Sequence, residues 1–278
     1  MSTPHSRPVL ITGCSSGIGL CCARGLKARG YTVFTTARRD QDLEMLQAEG
    51  LSPLYLELED PESIEQAVAE VLSATGDRLY GLFNNGAYGQ PGAVEDLSTE
   101  VLRKQFETNF FGWHHLTRLV LPIMRRQGEG RIIQNSSVLG FVAMKYRGAY
   151  NASKYALEGL SDTLRLELAG SGIHVSLVEP GPITSRFRDN AYRKWQENIE
   201  PSGSYHEAAY RAMEQRLTKK GPEFPFTLPP EAVLKKVIHA LESPRPRPRY
   251  YVTFPTYLFG ALKRVLSTRA LDSLARKY

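Results

Sequence analysis

Short apolar runs alternating with helix-like stretches constrain this chain more than any other feature. Residues 8–13, 31–37, 53–59, 80–86, 131–137 and 173–180 each read as a strand, rich in β-branched and apolar side chains and closed by glycine, asparagine, serine or proline in most cases. Between them the periodicity turns helical, over 20–29, 42–49, 61–75, 98–126 and from the segment holding Tyr150 to about Ala169. Strand and helix in regular alternation imply an α/β fold, a single domain built on a doubly wound parallel sheet with helices on both faces. Ligands of such sheets lie outside the carboxyl ends of the strands, and Gly13, Ala37, Asn84, Ser137 and Pro180 fall there.

Three stretches carry chemistry. Thr12-Gly13-Cys14-Ser15-Ser16-Gly17-Ile18-Gly19 follows the first strand and opens a helix, and its glycines suit a tight turn, close backbone approach to a phosphate and close helix packing. A dinucleotide is the expected ligand. The second strand ends without a carboxylate and runs into Arg38-Arg39, which favours a ribose 2′-phosphate and hence NADP(H) over NAD(H). Asn84, Asn85 and Gly86 close the fourth strand, where side-chain amides can brace the strand end beside a ligand. Tyr150 and Lys154 stand four residues apart on one helix face, so the ammonium can hold charge beside the phenol and lower its pKa from near ~10 toward neutrality. That pair reads as a tuned proton donor. Asn109, among aromatics in the long helix, reads on its own as a satisfied core residue.

Taken together these motifs resemble the short-chain dehydrogenase/reductase family, over Pro8 to about Leu241. The resemblance implies a Rossmann-like fold in which residues 12–19, including Ser15, Ser16 and Ile18, bind the dinucleotide. It also implies that Ser137, thirteen residues before Tyr150, is the catalytic serine and that Asn109 supports a proton relay through water. Glu57, with Leu58 beside it, stands where an acidic residue touches adenine. Pro180-Gly181-Pro182-Ile183-Thr184-Ser185 matches the nicotinamide loop, with Pro180, Gly181, Ile183 and Ser185 as contacts and Ser185 in place of a threonine. Asn84-Asn85-Gly86-Ala87 inverts the last two residues of the family's motif, which is expected to leave binding intact. The implied activity is NADP(H)-dependent reduction of an apolar aldehyde or ketone, with Ser137 holding the carbonyl, Tyr150 donating the proton and Lys154 also binding the nicotinamide ribose. The competing readings are a steroid or retinol dehydrogenase working oxidatively and a non-catalytic dinucleotide-sensing regulator; the latter predicts loss of the serine, tyrosine or lysine, and all three are present.

Charge and composition set the remaining limits. The chain is +6 overall, but residues 243–278 carry eight basic residues and one acidic, leaving the rest at −1, so no nucleic-acid partner is expected. Three crowded cysteines, Cys14, Cys21 and Cys22, fit neither a disulfide framework nor a metal site, the six histidines show no ligand spacing, and no metal is expected. The polar start at residues 1–7 lacks a signal-peptide pattern and no apolar run reaches the ~18 residues of a membrane span, so cytoplasm is the expected location. Residues 1–254 are expected to form the catalytic domain, with a substrate lid over about 185–230 holding Phe187, Tyr192, Trp195, Tyr205, Tyr210, Phe224 and Phe226. Half or more of these aromatics are expected to pack the lid onto the body, and the rest to make an apolar pocket. After the basic linker 243–249 comes a last strand over 250–254, and then a basic amphipathic extension, 255–278. There Leu258, Leu262, Val265 and Leu266 can line a helix face suited either to a membrane surface or to packing on protein. A small apolar carbonyl or alcohol substrate and a homodimer or homotetramer complete the expected partners.

Overall fold

The computed structural model describes residues 7–218, 221 and 226–276. Seven strands form one parallel sheet in the order β3-β2-β1-β4-β5-β6-β7. They are β1 (Pro8–Ile11), β2 (Thr32–Ala37), β3 (Ser52–Tyr55), β4 (Gly81–Asn84), β5 (Gly130–Asn135), β6 (Ile173–Glu179) and β7 (Arg249–Tyr251). Every strand is joined to the next through helix, as parallel pairing requires. The order reverses between β1 and β4, and the crevice at that switch point is where such sheets take their ligands.

Successive side chains of a strand face opposite ways, so each central strand feeds two cores. Val9 and Ile11 of β1, Phe83 of β4 and Ile133 of β5 join α1 (Gly17–Ala28), α2 (Asp40–Ala48) and α9 (Glu231–Glu242) on one face. Leu10, Leu82 and Ile132 join α3 (Pro61–Thr75), α5 (Gly112–Gln127) and α6 (Gly148–Glu167) on the other. Burying each such side chain is worth roughly 1.5–3 kcal/mol, so the sheet's position is set from both sides.

Three differences from the sequence reading have physical causes. The third strand stops at Tyr55, although Leu56 and Leu58 remain buried. Their alternation reflects a loop folding under α3, which leaves the edge of the sheet and delivers Glu57 to the surface. The expected helix over 98–126 is interrupted: α4 (Thr99–Phe106), capped by the Ser98 hydroxyl, passes into a π-helical turn at Glu107–Phe111 before α5 begins. Asn109 sits fully buried in that wide turn, a feature that recurs at functional sites. No expectation covered α9 or α11 (Thr268–Ala275), although Val233, Val237, Ala240 and Leu241 of α9 form a buried stripe.

The region after β6, where the lid is expected, forms α7 (Phe187–Asn198) and α8 (Glu207–Thr218). Trp195, Ile199, Tyr210, Met213 and Leu217 bury one another there with Ala93, and Tyr192 stacks on Trp195 at 5.9 Å. Tyr210 donates to Asp96 and accepts from the Ala93 amide, tying the lid to the loop after β4. Of the lid aromatics, Tyr192, Trp195 and Tyr210 are therefore cement. Phe187 meets Tyr150, Tyr205 and Phe226 are exposed, and Phe224 lies outside the described residues, as do the first six residues. After β7, α10 (Phe254–Val265) and α11 return to the body.

Candidate active site

The loop after β1 is shaped for close backbone approach. Gly13 has φ +70°, and a Cβ there would come within 2.5 Å of the Gly86 Cα. One at Gly19 would overlap the Gly13 carbonyl oxygen, so neither position accepts a side chain. Ser16, the N-cap of α1, makes no side-chain capping bond, which leaves the first-turn amides of the helix to an anion. Ser15 and Ile18 belong to the same turn. The residues present therefore fit a dinucleotide diphosphate.

That loop is wired to α6 through side-chain amides. The Thr12 hydroxyl accepts from the Asn85 and Gly86 amides, both at 2.8 Å, and Asn85 Nδ2 donates to the Thr12 carbonyl at 2.9 Å. Asn135 at the end of β5 donates to Asn85 Oδ1 at 2.9 Å, and its carbonyl accepts from Lys154 Nζ at 2.8 Å. Asn84 instead braces the core, donating to Gln134 and Thr117. The inverted pair does no harm here: Gly86 packs on Gly13, at a position where a Cβ would already be tight.

At the end of β2 the two arginines differ. Arg39 closes on Asp42 in the first turn of α2, with Nε 2.7 Å from Oδ2 and Nη2 3.2 Å from Oδ1. Arg38, as exposed as Arg39, makes its one ion pair among the described residues with Glu57, Nη1 to Oε2 at 2.9 Å. Arg38, Glu57 and Leu58 thus converge at the adenosine end of the crevice, with Leu58 buried beneath.

The catalytic candidates meet at the other end. Tyr150 is 8% exposed and Lys154 is fully buried. Burial pushes the Tyr150 phenol up to about 12, with the Ser137 hydroxyl and the Arg147 charge pulling weakly against it. Burial also draws the Lys154 ammonium down to about 7, opposed by the Glu158 carboxylate one turn along α6. The expected tuning of the phenol by the lysine is not what this arrangement shows. Lys154 Nζ lies 5.7 Å from the Tyr150 ring centre but 4.1 Å from that of Trp113, and is held by the Asn135 carbonyl. For the phenol, desolvation outweighs the Ser137 hydrogen bond and the Arg147 charge and favours the neutral form. Ser137 accepts from the Leu139 amide at 3.1 Å and donates weakly to the Pro180 carbonyl at 3.5 Å, which joins the β5 end to the loop after β6.

Asn109 holds chiefly one residue: Nδ2 donates to the Tyr88 carbonyl at 2.8 Å and Oδ1 accepts from the Tyr88 amide at 3.2 Å, while Nδ2 also donates weakly to the Ser153 hydroxyl of α6 at 3.4 Å. Its side chain therefore braces the backbone between β4 and the site. The loop Pro180, Gly181, Ile183 and Ser185 crosses the opening, with Ile183 paired to Leu228 and Ser185 stacked against Gly17. A Cβ at Gly181 would overlap Thr253 Oγ1, so the start of α10 supports this loop from beneath. Phe187, the first residue of α7, covers the phenol edge-on at 5.3 Å and also presses on Gly89. A cavity of about 430 Å³ under the lid, lined by Ala93, Val94, Tyr146 and His206, includes none of these residues.

Sequence reasoning missed Trp113, Asn135 and Glu158. Only Glu158 carried a signal, the four-residue spacing from Lys154 that continues the Tyr150–Lys154 face. Glu158 is itself buried with Glu179, and both carboxyls are pushed up by burial while Arg249 bonds to both and to Asp162.

The geometry agrees with comparisons to known proteins. A family model described as short chain dehydrogenase matches residues 7–196. The oxidoreductase YbbO of Escherichia coli is 43% identical over 96% of this chain and 93% of its own length. The NADPH-dependent 3-dehydrocapnine reductase of Ornithobacterium rhinotracheale is 30% identical over 98% and 96%. A short-chain dehydrogenase from Streptomyces avermitilis superposes with a TM-score of 0.78 at 31% identity, covering 100% of this chain and 98% of that one. Fold, crevice and relatives agree: the chain is an oxidoreductase belonging to the short-chain dehydrogenase/reductase family.

Proposed function

We propose that this protein is an NADP(H)-dependent reductase that converts the carbonyl of an apolar aldehyde or ketone to the alcohol. The carrying observation is a neutral, buried Tyr150 phenol set between the Ser137 hydroxyl and the Phe187 ring, on the same helix face as Lys154. The cofactor, when bound, supplies the hydride. Tyr150 holds the proton that the carbonyl oxygen takes up, and a neutral phenol is the form that can donate it. Ser137 orients that oxygen by hydrogen bonding. Lys154, one helical turn from the proton donor and held by the Asn135 carbonyl, is the group that would bind the nicotinamide ribose. Asn109 and Tyr88 hold the backbone beside them, where a relay water would stand. Phe187 and the apolar lid exclude solvent, which selects against sugars and nucleotides.

Preference for NADP(H) is supported by Arg38 at the end of a strand that carries no carboxylate, and by the cofactor in the name of the capnine-pathway relative. Glu57 works against it, because its carboxylate already occupies one side of that guanidinium. The test is absorbance of the reduced nicotinamide during turnover of medium-chain aldehydes, aromatic aldehydes and bulky ketones with NADPH and with NADH. Faster turnover with NADPH is expected; preference for NADH would overturn the cofactor assignment, and tight NADPH binding with no turnover of any of these carbonyls would overturn the substrate class. Cytoplasmic residence and a homo-oligomer are part of the same proposal. Among the described residues no helix is long and apolar enough to cross a membrane.

A further inference from the structure

The C-terminal face combines two features that the reaction does not use. The first is a stripe on α10. Thr256, Phe259 and Gly260 face inward, with Phe259 packed on Val138 and Val142. A Cβ at Gly260 would come within 2.5 Å of the Tyr251 ring, so glycine lets the helix press against it. Lys263 donates to the Phe141 carbonyl at 2.6 Å. These contacts set the helix's rotation and leave the opposite face to solvent: Phe254, Tyr257, Leu258 and Val265 are 56%, 49%, 40% and 77% exposed, at spacings of one helix face. Phe226 stacks on Phe254 at 4.8 Å and extends the stripe. With Leu266, six of the thirteen large apolar side chains that the described residues expose lie here.

The second feature is a cavity of about 200 Å³ bordered by Lys236, Arg247, Arg249 and Arg264 and by three tyrosines, with no carboxylate in its lining. Arg249 is spent on Glu158, Glu179 and Asp162. The side chains of Lys236, Arg247 and Arg264 make no ion pair or hydrogen bond among the described residues. Tyr257 borders the cavity and stands on the stripe, so the cation-lined opening lies directly beside the apolar one.

We propose that this face docks the protein on an anionic phospholipid bilayer, with phosphate-bearing headgroups in the cavity and the α10 stripe in the acyl boundary. Apolar residues at one level and cations with tyrosines at the next match the layering of a bilayer surface. The net +7 of residues 243–278, against −1 for the rest, gives the segment that supplies Arg247 and Arg264 an excess of positive charge to attract an anionic surface. A second copy is a poor occupant, because a two-fold contact presents the same patch from both sides, and the cavity lining offers Lys236, Arg247 and Arg264 no carboxylate.

The test is co-sedimentation of the full chain with vesicles of phosphatidylcholine alone or mixed with phosphatidylserine, at low and high salt. Binding to the mixed vesicles is expected, weakened by salt. Arg247→Gln with Arg264→Gln should cut that binding by about tenfold or more. Leu258→Ser with Val265→Ser should weaken it even where salt already screens the charges, with circular dichroism unchanged for both variants. A wild-type chain left in the supernatant with mixed vesicles, or variants that pellet like wild type, would overturn the proposal. So would two other results: a dimer in lipid-free sedimentation that Leu258→Ser with Val265→Ser dissolves, or thermal stabilisation by inorganic phosphate through Arg247 and Arg264 without vesicle binding. No readout involves turnover, so the result is separate from the enzymatic reading.

Discussion

Helices α6 and α10 are both inside out, in opposite senses. α6 turns Tyr150, Asn151, Ser153, Lys154, Glu158 and Ser161 into the protein, while α10 turns Phe254, Tyr257, Leu258 and Val265 out of it. An ordinary amphipathic helix does the reverse. Burying an ammonium and a carboxylate costs free energy that only partners or chemistry offset, and exposing a contiguous apolar stripe leaves hydrophobic stabilisation unused. Departure from amphipathicity therefore points to function in both: a reacting centre where polar groups go in, and a docking surface where apolar groups stay out.

The comparison breaks most sharply at Tyr150. Tyr150→Phe should lower kcat by about 10²–10⁴, while NADPH binding followed by fluorescence stays nearly unchanged; undiminished turnover would leave α6 without a catalytic role. Next in size is the buried side of α10. Phe259→Ala should cost about 3–5 kcal/mol in denaturant unfolding, since Phe259 is 5% exposed among Val138 and Val142. At the adenosine end, Arg38→Gln should weaken NADPH by about 1.5–3 kcal/mol with little effect on NADH. Glu57→Gln should move NADPH the other way by releasing the guanidinium, and titration calorimetry reads both.

The remaining two effects are smaller. Lys154 is cationic below about 7 and neutral above, and Glu158 opposes the loss of its proton. Removing that carboxylate should lower the lysine's pKa further, so in Glu158→Gln the alkaline limb of the kcat/KM profile should move to lower pH; an unmoved limb would detach Glu158 from the site. Leu258→Ser, on the exposed side of α10, should change unfolding stability by no more than about 0.5 kcal/mol. That leaves a contrast with Phe259→Ala, one residue away, as the direct measure of which face of α10 holds the fold.

What the sequence determined by itself was whatever depends on periodicity and chain order. Strands of period two alternating with helices dictate a parallel doubly wound sheet, and strand ends at Gly13, Asn84, Ser137 and Pro180 dictate where its ligands go. The spacing of Tyr150 and Lys154 places both on one helix face whatever surrounds them. Contacts between segments distant in the chain were decided only by the tertiary structure, because burial and pairing depend on what folds against a residue. Lys154 could have tuned the phenol directly, but packing against Trp113 and Asn135 holds it aside, and desolvation governs both groups. Arg38 could have been unpaired, but the loop from β3 brings Glu57 to it. The aromatics after Ser185 look alike in sequence, yet Trp195 and Tyr210 pack into the core of α7 and α8 while Phe187 covers the Tyr150 phenol. The rotation of α10, too, followed from Gly260 pressing on Tyr251, a contact that helical spacing alone does not specify.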